Sequence, residues 1–459
     1  MCRIRPDWAI LTTRGDTTMN FTKTKGLILA TMMGAGALLS MAAPPAYAAG
    51  TVYYVSAAGS DSNSGTSAAT AWKTLSKVNK MPFSPGDTIS FRRGDTWTGG
   101  LVLNPSGSSG SPITVNGYGT GNTPAVTGGQ SGNCFRINGS YVTLDGLQAS
   151  ACGYAGFSIY GSQVSVRNST AANNAVGMKS STGSSFGSYT NNVLANNNVM
   201  NVNTPGTNCG TPQAVNCSDD SGAFGILLNG NDNDVSGNTI SGSNAFSYDF
   251  GRDGSAVEIY NGNRNQIHDN ISLQNNDFSE IGRSGTGTAD GNTYSYNMAR
   301  SDCGANCSQS KGLILRGAST SLGPNNNTTF AHNTIWLNGP SSQAIVCHAS
   351  CPASTVISGN VLVAVRNALW IDGSGWTEQY NVMNGPVNTT LNSTSTSAPA
   401  RLVSPPTDLH LTGTSPAIDR AGVSPFTADL DGVAVPQNGD CTGANLSDSG
   451  AYEYVSPNC

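Results

Sequence analysis

The sequence predicts an all-β chain wound into a solenoid, each short coil stacked on the one before. Two observations carry this. First, a short apolar strand, a Gly or Asn turn and a second strand ending at an asparagine recur along the chain. They recur in "GILLNGNDNDVSGNTISGSN" (225–244), "VEIYNGNRNQIHDNISLQNN" (257–276), "LILRGASTSLGPNNNTTFAHNTIWLNG" (313–339) and "AIVCHASCPASTVISGNVLVA" (344–364), with weaker copies at 135–150 and 157–174. Second, nothing between these strands has the period of a helix. One such unit cannot bury its apolar side alone, and stacking on its neighbours completes the core. Irregular spacing and the lack of paired hairpin turns argue against an antiparallel sandwich or propeller.

The turns fit the same picture. Asn238, Asn270, Asn297, Asn333 and Asn360 recur at them. Asparagine tolerates left-handed backbone, and stacked asparagine amides hydrogen-bond along an axis. The ends of the chain differ from the middle. "AATAWKTLSKVNKM" (68–81) is the best helix candidate beyond the leader and is expected to cap the first coil. The loop-rich tail (401–459) is expected to cover the other end, leaving 49–400 as the solenoid itself.

Residues 1–48 read as a leader with a signal peptide. From Met19, Lys23 and Lys25 precede an apolar run that ends at Ala46-Tyr47-Ala48, a small-X-small cleavage pattern. The run is short and interrupted by glycine, so a permanent membrane anchor is disfavoured. The expected location is extracellular, with no membrane association after cleavage. Arg3, Arg5, Arg14, Lys23 and Lys25 against Asp7 and Asp16 give the leader +3, so a chain of net charge −5 leaves −8 beyond it. An acidic exported chain lacks the basic face that nucleic acid requires. Oligomeric state is open. Of the 11 cysteines, Cys2 departs with the leader. The rest fall in neighbouring couples: Cys134 with Cys152, Cys209 with Cys217, Cys303 with Cys307, Cys347 with Cys351, and Cys441 with Cys459. Sequential disulfides are the simplest expectation for an exported chain.

Two segments carry a family resemblance. "VYYVSAAGSDSNSGTSAATAWKTLSKVN" followed by "GDTISFRRGDTWTGGLVL" resembles the opening of secreted right-handed parallel β-helix proteins of the pectate-lyase-like superfamily. "SPAIDRAG", "DLDG" and "GAYEY" are similar to a common closing segment there. The resemblance implies a right-handed parallel β-helix with an N-terminal capping helix and a loop-rich C-terminal cap. It implies a carbohydrate-active protein without choosing among lyases, glycoside hydrolases, epimerases and tailspikes, because one fold hosts many chemistries.

Registering the coils on an inward column of Ile259, Ile281, Leu315, Cys347 and Ile371 puts their neighbours outward. One outward row is then Glu258, Glu280, Ile314, Val346 and Trp370. The other is Tyr260, Gly282, Arg316, His348 and Asp372. Two glutamates one strand apart disfavour joint ionisation, and a carboxylic acid beside a carboxylate is what glycoside hydrolysis requires. Glu258 and Glu280 are therefore the candidate catalytic pair, with Asp253 beside them. Tyr260, Asp277, Arg283, Arg316, His348, Trp370 and Asp372 are the candidate substrate-binding set.

A glycoside hydrolase acting on a neutral or weakly charged glycan is the leading expectation, with no cofactor required. One alternative is a polysaccharide lyase. Ca²⁺ at Asp253 and Asp277 would assist it, Lys311, Arg316 or His348 would be the base and Tyr260 the acid; Lys179, several coils upstream, is a further candidate base. The other alternative is a non-catalytic glycan-binding or adhesion solenoid. An aromatic content of only 7% and the local group of acids favour catalysis over it.

Overall fold

Three short strands and three turns make each coil, because β-branched and aliphatic residues alternate with polar ones for only three to six positions before a turn. The computed structural model describes residues 50–128, 132–206, 220–422 and 424–458. The coil beginning at Ser255 is representative. It runs through strands Ser255–Tyr260, Gln266–His268 and Ile271–Leu273, and the next coil opens at Asp277–Gly282. Each strand pairs in parallel with its counterparts in the coils before and after.

Three long parallel sheets result. A ten-stranded sheet runs from Leu101–Leu103 to Asn367–Ile371. One twelve-stranded sheet runs from Val52–Val55 to Thr377–Gln379, and the other from Thr96–Thr98 to Thr396–Ser397. Strands follow sequence order within every sheet, which is the signature of a parallel β-helix. The predicted inward column is buried throughout: Ile259, Ile281, Leu315 and Cys347 have no exposure and Ile371 only 3%. Each such aliphatic side chain contributes about 1.5–3 kcal/mol. Phe135 and Phe157, one coil apart, stack inside at 4.8 Å between ring centres.

A continuous amide ladder threads the corner between the two twelve-stranded sheets. Asn192, Asn238, Asn270, Asn297, Asn333, Asn360 and Asn381 each donate Nδ2 to the Oδ1 of the next, at 2.9–3.1 Å. The same Oδ1 atoms accept the backbone N–H of the preceding rung. All the predicted asparagines lie in this ladder, but their backbone role differs from expectation. The left-handed residue is the one before each: Asn191, Gly237, Asp269, Tyr296, His332, Gly359 and Tyr380 all have φ between 51° and 64°. That residue turns the chain, and the asparagine behind it is freed to bond along the axis. A shorter ladder of Asn233, Asn265 and Asn292 supports a second corner.

The N-terminal cap is smaller than the expected helix. A 3-10 turn at Ala68–Thr70 precedes a five-residue helix, Leu75–Asn79, started by the Thr74 side chain and burying Leu75 and Val78. The tail is also placed differently. It lies along the flank of the β-helix: Gly450 N donates to Gly359 O at 2.8 Å, and Ala451 N to Thr334 Oγ1 at 2.9 Å. At the last coil it is Trp376, Val387 and Leu391 that pack on the core.

Three of the five expected disulfides are in place, Cys134–Cys152, Cys303–Cys307 and Cys347–Cys351. The other two expectations stand differently. Cys209 lies outside the described residues, and Cys217 lies outside them too, so the expected bridge between them has no counterpart among the described disulfides. Cys441 is disulfide-bonded, while its expected partner Cys459 also lies outside the described residues, as does the leader. Among the described residues no helix is long and apolar enough to cross a membrane.

Replacing a ladder asparagine tests the role of the ladder. Asn297→Ala deprives the Asn270 backbone N–H of its acceptor and the Ile267 carbonyl of its donor, and removes one of the three acceptors of the Asn270 amide. Buried unpaired groups of this kind cost about 1–3 kcal/mol each. The expected outcome is a loss of about 3 kcal/mol or more, read from the denaturant midpoint, against a negligible change for the exposed Asn306→Ala.

Candidate functional site

The outward face of the ten-stranded sheet carries a cleft of about 610 Å³. Its floor follows from strand register. Glu258 pairs with Glu280, Ile259 with Ile281 and Tyr260 with Gly282. Glu280 pairs in turn with Ile314, and Arg316 with His348. The predicted row from Glu258 to Trp370 is therefore in place, as are the Tyr260–Gly282 and Arg316–His348 pairs of the other. The two glutamates are strand neighbours, about 4.8 Å apart at the backbone. Gly282 leaves the space opposite Tyr260 open; a Cβ there would meet the tyrosine ring at 3.5 Å.

The two glutamates have different partners. Glu258 Oε2 accepts a bond from Ser255 Oγ at 2.8 Å. Glu280 Oε1 receives Arg316, through Nε at 3.1 Å and through Nη2. Burial and then the neighbouring Glu280 charge push the Glu258 carboxyl well above the usual range, against the pull of the Ser255 hydroxyl. Burial weakens the charge on Arg316, but the Glu280 carboxylate outweighs it and the guanidinium is held more firmly protonated. The pair thus differs in environment: Glu258 is a carboxyl raised by burial, and Glu280 is paired with an arginine.

Two aspartates complete the acidic group at the start of the same strands. Asp253 is pushed to about 7 by burial and by the charges of Asp277 and Glu280. Asp277 rises to about 6 through burial, with Lys311 opposing and Glu280 adding to the rise. Lys311 belongs to the next strand, its Nζ 3.9 Å from Asp277 Oδ1 and its backbone N–H donating to the same oxygen. Burial lowers His348 and favours its neutral form. Among the described residues no three His, Cys, Asp or Glu side chains converge in the manner a metal ion requires.

Seven of the predicted residues meet in the cleft: Asp253, Glu258, Tyr260, Asp277, Glu280, Arg316 and His348. Three do not. Arg283 turns onto its own loop and donates to Gly285 O at 3.0 Å. Trp370 lies two rungs beyond Ile314, outside the cleft and 6.5 Å from the His348 ring. Asp372 Oδ2 accepts the Ala349 N–H at 3.1 Å and holds the turn beside the Cys347–Cys351 bridge. A row position puts a side chain on the right face but does not say how far along it the cleft extends.

Lys179 also reaches the cleft, in the same row as Glu258 with Leu227 between them. Sequence reading missed Asp220, Phe250 and Arg252, which wall the cleft where the site strands begin. They come from insertions between coils, where no repeat positions them. The one available signal was the alternation of aromatics in "NAFSYDFGRD".

No family model matches the chain. A lacto-N-biosidase of Bifidobacterium longum subsp. longum is 39% identical over 75 residues, 15% of this chain and 5% of that protein, so the chain spans a small fraction of that relative. Among solved structures, pectate lyase Pel9A is similar over 89% of this chain and 97% of its own, at 16% identity and a TM-score of 0.55. XylC, in its complex with xylose, is similar over 73% and 76%, at 9% identity and a TM-score of 0.51. These likenesses show the fold, a parallel β-helix.

The raised carboxyls have a consequence for stability. With folded values near 6 and 7 against about 4 in the unfolded chain, the native state holds extra protons between those limits. Their contribution is fully present below about pH 4 and is lost as pH rises through 6 and 7. Asp253→Asn removes one such group. Denaturant midpoints at pH 5 and pH 8 are expected to show the variant gaining stability relative to the parent at the higher pH.

Proposed function

We propose that the protein is a glycan-cleaving enzyme, a glycoside hydrolase that retains anomeric configuration, with Glu258 as general acid and Glu280 as nucleophile. The observation that supports this reading is the strand pairing of Glu258 with Glu280, with Arg316 bound to Glu280 while burial raises the Glu258 carboxyl. Carboxyl groups about 5 Å apart suit the double-displacement route. Neighbouring strands bring the two within that range.

In the first step Glu258 gives its proton to the glycosidic oxygen as the bond to the anomeric carbon breaks. Glu280 attacks that carbon from the opposite face. Arg316 takes Oε1, so the attack is assigned to Oε2. In the second step the Glu258 carboxylate, now bare, takes a proton from water. The water oxygen bonds to the anomeric carbon and Glu280 leaves. The cleft sets Lys179, Arg252, Lys311 and Arg316 against Asp220, Asp253, Glu258, Asp277 and Glu280, a near balance that suits a neutral or weakly charged sugar chain. The short match to a lacto-N-biosidase and the fold shared with Pel9A and XylC support a glycan as substrate. The three disulfides suit an extracellular place of work.

A second reading, β-elimination by a lyase, is favoured by one observation. Lys311 is an amine inside the cleft, beside Asp277, and Tyr260 lines the same cleft. It would take the C5 proton of a uronate, with Tyr260 protonating the leaving oxygen. Ca²⁺ at Asp253 and Asp277 would belong to this reading, and loss of activity on chelation would mark it.

Product chemistry separates the two, because only elimination leaves an unsaturated sugar that absorbs in the ultraviolet. For the hydrolase, Glu258→Gln is expected to lower kcat on a polysaccharide by about 10³-fold, within the range for a lost general acid. The loss should shrink on aryl glycosides whose phenol leaves without a proton. Glu280→Gln should be inactive on both. Activity of the parent should fall on the alkaline side as Glu258 ionises. Full activity of both variants, or an ultraviolet-absorbing product, would overturn the assignment.

A further inference from the structure

The insertion before Ser255 forms a hairpin of Ala245–Ser247 against Gly251–Asp253. It carries Phe246, Tyr248 and Phe250, which are 53%, 43% and 50% exposed. Large apolar groups left in water as a cluster are informative in a way that single ones are not. Phe246 and Tyr248 pack edge to face at 4.9 Å, and Phe250 lines the cleft. The hairpin leads into Asp253, so the aromatic patch is continuous with the site.

The hairpin is held in place from several directions. Ser247 Oγ donates to Asp220 Oδ2 at 2.8 Å and Asp249 N to the same atom at 3.1 Å. Asn203 donates to Phe246 O and accepts from Tyr248 N. Gln309 Nε2, from the insertion two coils further on, donates to Phe250 O at 2.7 Å. Rings fixed this way lose little freedom when a ligand arrives, which favours binding. They do not pack onto the main core of the protein, and core packing is the ordinary reason for such rings to be there.

We propose that Phe250, with Phe246 and Tyr248 behind it, is a stacking platform for pyranose rings of a glycan chain that extends beyond the Glu258–Glu280 pair. A pyranose ring presents C–H groups on its face, and an aromatic ring offers them a flat apolar partner. Trp370, the aromatic that the sequence reading placed in the substrate-binding set, lies outside the cleft, while Phe250 is inside it. The cleft floor continues the apolar surface through Phe224, Leu227, Ile314 and Val346. A platform beside the reacting pair adds a subsite for a further sugar ring of the same chain. This inference rests on the reading that the cleft takes a glycan.

The test separates binding from turnover. Migration in native gels containing soluble xylan or polygalacturonate reads binding directly, with Glu280→Gln as the parent so that nothing is cleaved. At least one of the two polymers is expected to retard the parent. Adding Phe250→Ala should weaken that retardation about tenfold in apparent Kd, the effect of about 1.4 kcal/mol. Phe250→Trp should restore it, and this variant guards against a misfolded alanine protein. Retardation by neither polymer, or equal retardation of the alanine variant, would overturn the platform. An active Glu280→Gln protein would instead overturn the catalytic assignment and leave the binding result standing.

Discussion

Coil-to-coil registry is the constraint on which everything else in this molecule depends. It is enforced where the chain turns, by the ladder running from Asn192 to Asn381. Each amide is buried and each is bonded both along the axis and to backbone. A coil that slipped by one residue would break its rung and turn its aliphatic side chains out of the core. Two penalties thus enforce one alignment, one from unpaired amides and one from exposed hydrocarbon. The same alignment puts Glu258 beside Glu280 on the far side of the coil. The pairing of their own strands sets the glutamates side by side, and the asparagines elsewhere in their coils keep that pairing in register.

Registry also explains which parts were legible in the sequence. The inward column and both outward rows follow from a period of two on strands in a repeating unit, and the register agrees residue by residue from Glu258 to Trp370. The ladder asparagines stood out because they recur. Arg283 and Asp372 were harder. Both flank strands, and a side chain just past a strand end answers to its loop rather than to the sheet. The cleft walls were harder still, since Asp220, Phe250 and Arg252 come from insertions with no counterpart in other coils. Repetition informs about the scaffold, and the walls of the cleft were added where repetition stops.

The insertions share a corner, and topology explains why. Those holding Met200–Val202, the aromatic hairpin and the Cys303–Cys307 turn all enter the ten-stranded sheet at the start of a strand. They share one corner of the coil, the entry to Asp277–Gly282 between the last two being a short turn, so three separate insertions become one wall. Asp220 ties the first to the second, and Gln309 ties the third to the second. A wall built from stacked loops needs no core of its own, because each loop is anchored at both ends in a coil that is already stable.

Charge economy makes the site conspicuous. Only 11% of residues are charged, yet several acids and bases converge on one face. Crowded half-buried carboxyls oppose folding at neutral pH, since each must leave water or hold a proton. A solenoid tolerates that cost because its stability is close to a sum over coils, and the unfavourable face of two or three coils is spread across many favourable interfaces. The same crowding splits the behaviour of chemically identical side chains. Among the described residues Glu258 makes no ion pair, and burial beside the Glu280 charge raises its carboxyl, while Glu280 is joined to Arg316. In the proposed mechanism, acid and nucleophile therefore arise from two copies of one residue type, distinguished by a single arginine on the strand that follows.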